Sequence, residues 1–264
     1  MQKIISWNVA SVRARMETLK KLLEKEQPDF VFLQEIKATE DTFPFFDFRL
    51  LGYSAIIAGQ KGYNGVAILS KEPLKNIIDC LPDFSDQARF IQAETEQGLI
   101  LISVYVPNGN PPEKNPTDTS RLDYKIKWMQ ALNTHLSDLV QQGKKVILGG
   151  DFNVIEKDTD VYNPDYFRNS ALMEPTVRDL FHKISTIPMI NMTRQHNPEP
   201  HTYSFWDFQG GAWQKNNGIL LDAFFVSPIL EKAIRSAPIY KEIRGWSNTS
   251  DHTSIGLILD KPGQ

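Results

Sequence analysis

Short apolar runs bordered by acidic or amide residues constrain this chain more than any other feature. Asn8 follows Ile4 to Trp7, Glu35 follows Phe30 to Leu33, and Asp151 with Asn153 follows Val146 to Leu148. Asp222 follows Ile219 to Leu221, and Ser250-Asp251-His252 precedes the run from Thr253 to Leu259. Runs this short and this rich in Val, Ile, Phe and Leu read as strands, and α/β folds build their sites at strand ends. The polar groups are therefore expected to converge on one sheet edge.

The rest of the chain supplies partners for those strands. Lys3 to Val9 reads as a strand, and Glu17 to Gln27 as a helix with Leu19, Leu22 and Leu23 on its apolar stripe and Pro28 as its stop. Asp29 to Leu33 is a second strand. Tyr53 to Ala58 and Gly65 to Leu69 flank the turn Gln60-Lys61-Gly62-Tyr63-Asn64, which predicts an antiparallel hairpin. Phe90 to Glu96 and Leu99 to Val106 meet across Gly98, and Pro107 ends the second run. Leu122, Ile126, Met129, Leu132, Leu136 and Leu139 recur at helical spacing as far as Gly143, and Val177 to Ile184 forms a shorter helix. Val146 to Gly149 reads as a buried strand, and the long polar stretch that follows it as far as Met173 as a functional loop. Leu220 to Val226 and Thr253 to Leu259 are late strands. One α/β domain over residues 1–264 is expected, with no internal repeat.

Composition narrows the function classes. Hydrophobic residues make up 41% and charged residues 23% of the chain, enough apolar surface for a sizeable core, which excludes a disordered segment. The net charge of -3 gives no bulk basic footprint, so contact with nucleic acid must rest on local Lys and Arg. Cys80 is the single cysteine and allows no intramolecular disulfide. Met1-Gln2-Lys3 runs straight into a short strand pattern, without the apolar stretch of a signal peptide or membrane span, so a soluble cytoplasmic protein is expected.

Carboxylates with amides and few His or Cys residues make a hard, oxygen-rich donor set, which suits Mg²⁺ or Mn²⁺ rather than zinc. Glu35 leads as a metal ligand because its apolar lead-in favours burial. Asp151 and Asn153 face one side if their strand continues, and the same spacing also fits a turn. Asp251 and His252 are adjacent, so their side chains diverge on a strand; Asp222 is the candidate to orient the His252 imidazole and raise its proton affinity.

Taken together, Trp7-Asn8, Leu33-Gln34-Glu35-Ile36-Lys37, Tyr105-Val106-Pro107-Asn108, Gly150-Asp151-Phe152-Asn153, Leu221-Asp222 and Ser250-Asp251-His252 resemble the exonuclease III family of apurinic/apyrimidinic endonucleases, in the family's order. The resemblance implies a four-layer sandwich of two packed mixed β-sheets flanked by helices. It implies hydrolysis of the phosphodiester 5′ to abasic sites in double-stranded DNA, with action at blocked and intact 3′ ends, by a monomer. Carried over residue by residue, Glu35 is the principal metal ligand with Asn8 and Asp251 close by, and Asp151, Asn153 and His252 lie within reach of the same ion. Asp151 orients or deprotonates the attacking water, Tyr105 and Asn153 contact the phosphate, and His252, held by Asp222, binds a non-bridging oxygen.

Arg13, Arg15, Lys37, Lys61, Tyr63 and Asn108 are the expected DNA contacts. Phe205-Trp206 resembles the family's aromatic segment, so Phe205, Ile219 and Leu221 are expected to line a pocket for a flipped abasic sugar. Two positions depart from the family pattern. Ala10-Ser11 stands where an Asp or Asn followed by Gly is usual, and Leu220-Leu221 replaces an Arg followed by an apolar residue. Two alternatives share most of these motifs: a phosphatase or phosphodiesterase of the same fold group acting on inositol phosphates or phospholipid head groups, and a DNA-binding member without activity.

Overall fold

The structure is a computed structural model and describes residues 1–261. Its strands are β1 (Gln2–Asn8), β2 (Phe30–Gln34), β3 (Ser54–Ala58), β4 (Val66–Ser70), β5 (Leu74–Ile78), β6 (Phe90–Thr95), β7 (Leu99–Tyr105), β8 (Lys145–Asp151), β9 (Ile190–Asn191), β10 (Asp222–Val226), β11 (Ile234–Ser236) and β12 (Ile255–Leu259). Its helices are α1 (Met16–Glu26), α2 (Phe45–Leu50), α3 (Ser120–Gln141), α4 (Pro164–Phe167), α5 (Pro175–Thr186), α6 (Met192–His196) and α7 (Ala212–Lys215). The strands form two six-stranded sheets, in the orders β11-β12-β1-β2-β4-β3 and β5-β6-β7-β8-β10-β9.

Each sheet is built around one parallel pair, β1 with β2 and β7 with β8. Parallel neighbours need a crossover, supplied here by α1 and α3. The crossovers leave α1 and α2 on the outer face of the first sheet, where Leu19, Leu22, Leu23 and Phe48 pack with Ile5, Val31 and Leu33. On the second sheet Trp128, Met129, Leu132 and Leu136 of α3 and Val177 and Phe181 of α5 cover Ile102, Val146, Leu148 and Phe225. The inner faces meet through Ile4, Phe30, Phe32 and Ile68 against Ile91, Leu101, Ile147 and Phe224. The result is the expected sandwich of two mixed sheets between helical layers.

The predicted hairpins are both present, since β3 pairs antiparallel with β4 and β6 with β7. Sequence reading missed β5, β9 and β11, which are short or lie at sheet edges, and all four helices of six residues or fewer. Two strand starts shift: β10 begins at Asp222 and β12 at Ile255, so Leu220-Leu221 and Thr253-Ser254 lie before them. Asp222 therefore opens a strand instead of closing one. Because β10 runs antiparallel to β8 with Asp222 opposite Asp151, that start lies at the edge where β8 ends.

The same edge collects the ends of β1, β2 and β7 and the segment before β12, whose Ile255 pairs with Ser6. Gly150 lets β8 lie close to β7 there: it has φ 151°, and a Cβ would stand 2.0 Å from the Val104 carbonyl oxygen. Buried Gln34 fixes the two sheets against each other below the edge, donating to Ser6 Oγ at 3.1 Å and Ser103 Oγ at 3.0 Å. Among the described residues no helix is long and apolar enough to cross a membrane.

Candidate active site

The convergent edge opens into a cavity of about 620 Å³ lined by Glu35, Tyr105, Asn108, Asp151, Asn153, Asp251 and His252 on one side. Phe205, Ile219 and Leu221 line it as well. Asn8 ties the two central carboxylates together: its amide nitrogen donates to Glu35 Oε1 at 3.0 Å and to Asp151 Oδ2 at 2.9 Å. Its oxygen turns back to accept from the Ala10 backbone N–H. Asn8 thus presents donors, not an oxygen, to its acidic neighbours.

Glu35 sits just past β2 with a left-handed φ of 50°. Its second oxygen pairs with Lys37 Nζ at 2.9 Å. Burial opposes ionisation of Glu35, but the Asn8 amide and the Lys37 ammonium outweigh it and hold the carboxyl below its ordinary pKa. A carboxylate that stays ionised despite burial, with Asp251 opening onto the same cavity, is an oxygen donor set that fits a hard divalent cation.

Asp151, Asp222 and His252 form a tighter buried group, with one ligand-type atom from each lying within 4.8 Å of the others, and this acidic cluster could also hold a metal. Its internal bonding favours a different use. His252 Nδ1 meets Asp222 Oδ2 at 2.8 Å, leaving Nε2 facing Asp151 Oδ2 at 3.6 Å, beyond a hydrogen bond. Ser204 Oγ donates to the same Asp222 oxygen at 2.6 Å and accepts from the backbone N–H groups of Leu221 and Asp222. Burial disfavours the His252 imidazolium, yet Asp222 and Asp151 outweigh it and raise the pKa to about 10. Burial pushes the Asp151 carboxyl up, against the pull of His252. Tyr105 is raised well above the ordinary range by burial and by Glu35 and Asp151, so its phenol keeps its proton.

Asn153 has φ 49° and lies in a turn, because β8 ends at Asp151. The turn still brings both together: the Asn153 N–H donates to Asp151 Oδ1 at 2.9 Å and its side-chain nitrogen to the Val106 carbonyl. Asn108 Nδ2 donates to Asn153 Oδ1 at 3.1 Å. Phe205 reaches the cavity and stacks edge-on against His252 with 5.0 Å between ring centres. Trp206 does not; it is fully buried with Tyr203 and Trp213 and donates to Asn216 Oδ1.

The expected DNA contacts scatter around this centre. Lys37 is committed to Glu35. Tyr63 and Asn108 border a second groove of about 860 Å³. Arg13 and Lys61 are exposed, and Arg15 Nη1 reaches Asn248 Oδ1 at 3.5 Å.

At the first family departure Ala10 and Ser11 adopt φ 46° and 106°, a left-handed backbone that favours glycine, at a cost of about 1–3 kcal/mol per residue. At the second, Leu220 is buried and its N–H donates to the Asp160 carbonyl, while Leu221 joins the cavity wall.

Several groups escaped the sequence reading. Tyr162, Tyr166, Phe167 and Leu172 bring the long loop after β8 to the cavity wall, where no periodicity announces them. Ser204 supports Asp222, and Arg89 lies 4.7 Å from the centre of the Tyr105 ring. Lys125, fully buried, is the least expected; burial lowers its pKa to about 7, opposed by Asp151. The signal for it was its place among Leu122, Ile126 and Met129 on an apolar stripe.

Residues 5–252 match the model of the Endonuclease/Exonuclease/phosphatase family. The chain belongs to that family. Within it the chain belongs to the exonuclease III family, as its motifs indicated. It is 34% identical to an exodeoxyribonuclease of Bacillus subtilis, over 98% of this chain and 99% of the relative. Two solved structures share the fold at 30% identity, each covering 98% of this chain and 100% of its own: the 3′ phosphatase NExo from Neisseria bound to a product DNA hairpin (TM-score 0.92), and an AP endonuclease from Archaeoglobus fulgidus (TM-score 0.91). Family membership places the hydrolytic edge in an established class of nuclease and phosphatase scaffolds.

Proposed function

We propose that this chain is a metal-dependent DNA repair nuclease that hydrolyses the phosphodiester 5′ to an abasic site and acts at blocked or intact 3′ ends of duplex DNA. The observation that carries this reading is one cavity that combines a hydrolytic polar edge with the apolar wall of Phe205, Ile219 and Leu221. Apolar walls admit a base-free sugar turned out of the helix and give selectivity without reading a base. An inositol phosphate, whose ring is covered in hydroxyls, would leave that wall without a complementary surface.

In this reading Glu35 and Asp251 hold Mg²⁺ or Mn²⁺, and Asn8 orients Glu35 and Asp151 through its two N–H donors. When bound, the metal supplies Lewis-acid stabilisation of charge on the phosphate. Asp151, whose burial raises its proton affinity, orients the attacking water and accepts its proton. His252 remains an imidazolium and aims Nε2–H at a non-bridging phosphate oxygen, while Asp222 and Ser204 fix its ring. Tyr105, kept protonated, and Asn153 donate to the same phosphate. Water attacks directly, so no covalent enzyme intermediate forms. Arg13, Arg15, Lys61, Tyr63 and Asn108 contact the backbone on either side, and Lys37, paired with Glu35, adds positive charge at the same edge.

The test is a comparison in Mg²⁺ of three substrates: an end-labelled duplex with one abasic analogue, the intact duplex, and a soluble inositol phosphate. Incision immediately 5′ to the analogue is expected, faster than any cut within the intact duplex. Phosphate release from the inositol compound with both duplexes uncut would sink the reading.

A further inference from the structure

The mechanism above makes no use of Lys125, although among the described residues it is the one lysine without solvent exposure. It projects from α3, and its Nζ donates to the backbone carbonyls of Asn108 at 3.0 Å, Asn153 at 2.6 Å and Ala171 at 3.4 Å. Three acceptors match the three N–H bonds of an ammonium group. Among the described residues no carboxylate pairs with it, so the three carbonyls are what satisfies its buried N–H groups.

Those three carbonyls come from three segments of the cavity wall: the loop after β7, and the beginning and end of the long loop after β8 that carries Tyr162, Phe167 and Leu172. The loops also bond to one another, with Asn108 donating to Asn153 and the Ala171 N–H donating to Asn110 Oδ1. The fit around the lysine stem is close. At Gly109, φ is 84°, and a Cβ would lie 2.7 Å from Lys125 Cδ and 3.1 Å from Ala171 Cβ.

We infer that Lys125 is a positioning residue for the hydrolytic reaction: from inside the core it fastens the Asn108, Asn153 and Ala171 segments to α3 and so aims the Asn153 amide, which Asn108 braces, at the phosphate. A solvent-facing loop cluster gains a fixed geometry from a rigid helix beneath it, and small errors in such geometry are costly to rate. The inference rests on the nuclease reading, so it is tested with an abasic duplex that the wild-type protein cleaves; a wild-type protein inert on DNA would fail that reading and not this one.

The expected result is that Lys125→Met lowers kcat by at least about 30-fold with KM changed less than about threefold, because the groups that it aims act in the transition state. Leu132→Ala, also on α3 but buried against the second sheet, controls for loss of stability. It is expected to lower Tm while keeping wild-type kcat. Added to Asn153→Ala, the Lys125→Met change is expected to cost less than about threefold more, since neighbours in one network are not additive. Wild-type kcat in Lys125→Met, or fully multiplicative losses in the double variant, would overturn the inference. Should Lys125→Met not fold, Gly109→Ala presses on the same stem while keeping the ammonium; a kcat loss of at least about tenfold is expected there, and unchanged kcat would overturn the inference.

Discussion

Glu35→Ala is expected to slow single-turnover incision of an abasic duplex by at least about 10³-fold, the equivalent of about 4 kcal/mol of transition-state stabilisation. The magnitude follows from what the carboxylate does at the edge. Glu35 is ionised against the pull of burial, joined to Asp151 through Asn8, and paired with Lys37. Removing it takes away the central anionic oxygen donor proposed for the metal and leaves the Lys37 ammonium unopposed, a misplaced positive charge at the edge. Binding of the same duplex should fall much less, or even strengthen, because DNA is an anion and the variant is one charge more positive. The check is a rate measurement at saturating protein beside an equilibrium binding measurement in chelator. Equal losses in both would remove Glu35 from the chemistry.

The second large effect is expected at Asp222. Asp222→Asn keeps the shape and removes the charge that sustains the His252 imidazolium, and turnover is expected to fall about 10²-fold or more while DNA affinity changes less than about threefold. The pH dependence gives the role a sign. Asp222 and Asp151 hold His252 protonated up to about pH 10, so in the wild type the donor persists across the physiological range. Without the Asp222 charge the His252 pKa falls, the imidazole loses its proton as pH rises, and the variant is expected to lose activity on the alkaline side while the wild type does not. A variant with a pH profile parallel to wild type would contradict the assignment of His252 as a charged donor.

Much of this site was legible because of a rule about strands: burial on both faces demands a continuous apolar run, so a polar residue that closes or precedes one stands out. Glu35, Asp151 and His252 were found that way, and the structure brings all three to one edge. The same rule misplaced Asp222, which follows an apolar run yet opens its strand; antiparallel pairing with β8 rescues the position, and pairing direction is not written in a single run. The helices α1, α3 and α5 were legible from apolar stripes, whereas α2, α4, α6 and α7 are too short to show one. Edge strands such as β5 bury little and carry no period. Lys125 was passed over for a different reason, despite its place on the apolar stripe: lysine is a surface residue in nearly every helix, and only the three loop carbonyls above it make its burial tolerable. Phe205 and Trp206, adjacent in sequence, separate into a cavity wall and a core residue, a division that depends on which face of the segment meets His252.

The most direct test of a metal-assisted hydrolytic edge acting on DNA is incision of one end-labelled abasic duplex by the wild-type protein, followed in Mg²⁺ and again in excess chelator. The account predicts a single product cut 5′ to the lesion in Mg²⁺ and none in chelator, with activity restored on returning the metal. Incision that proceeds unchanged in chelator would contradict it.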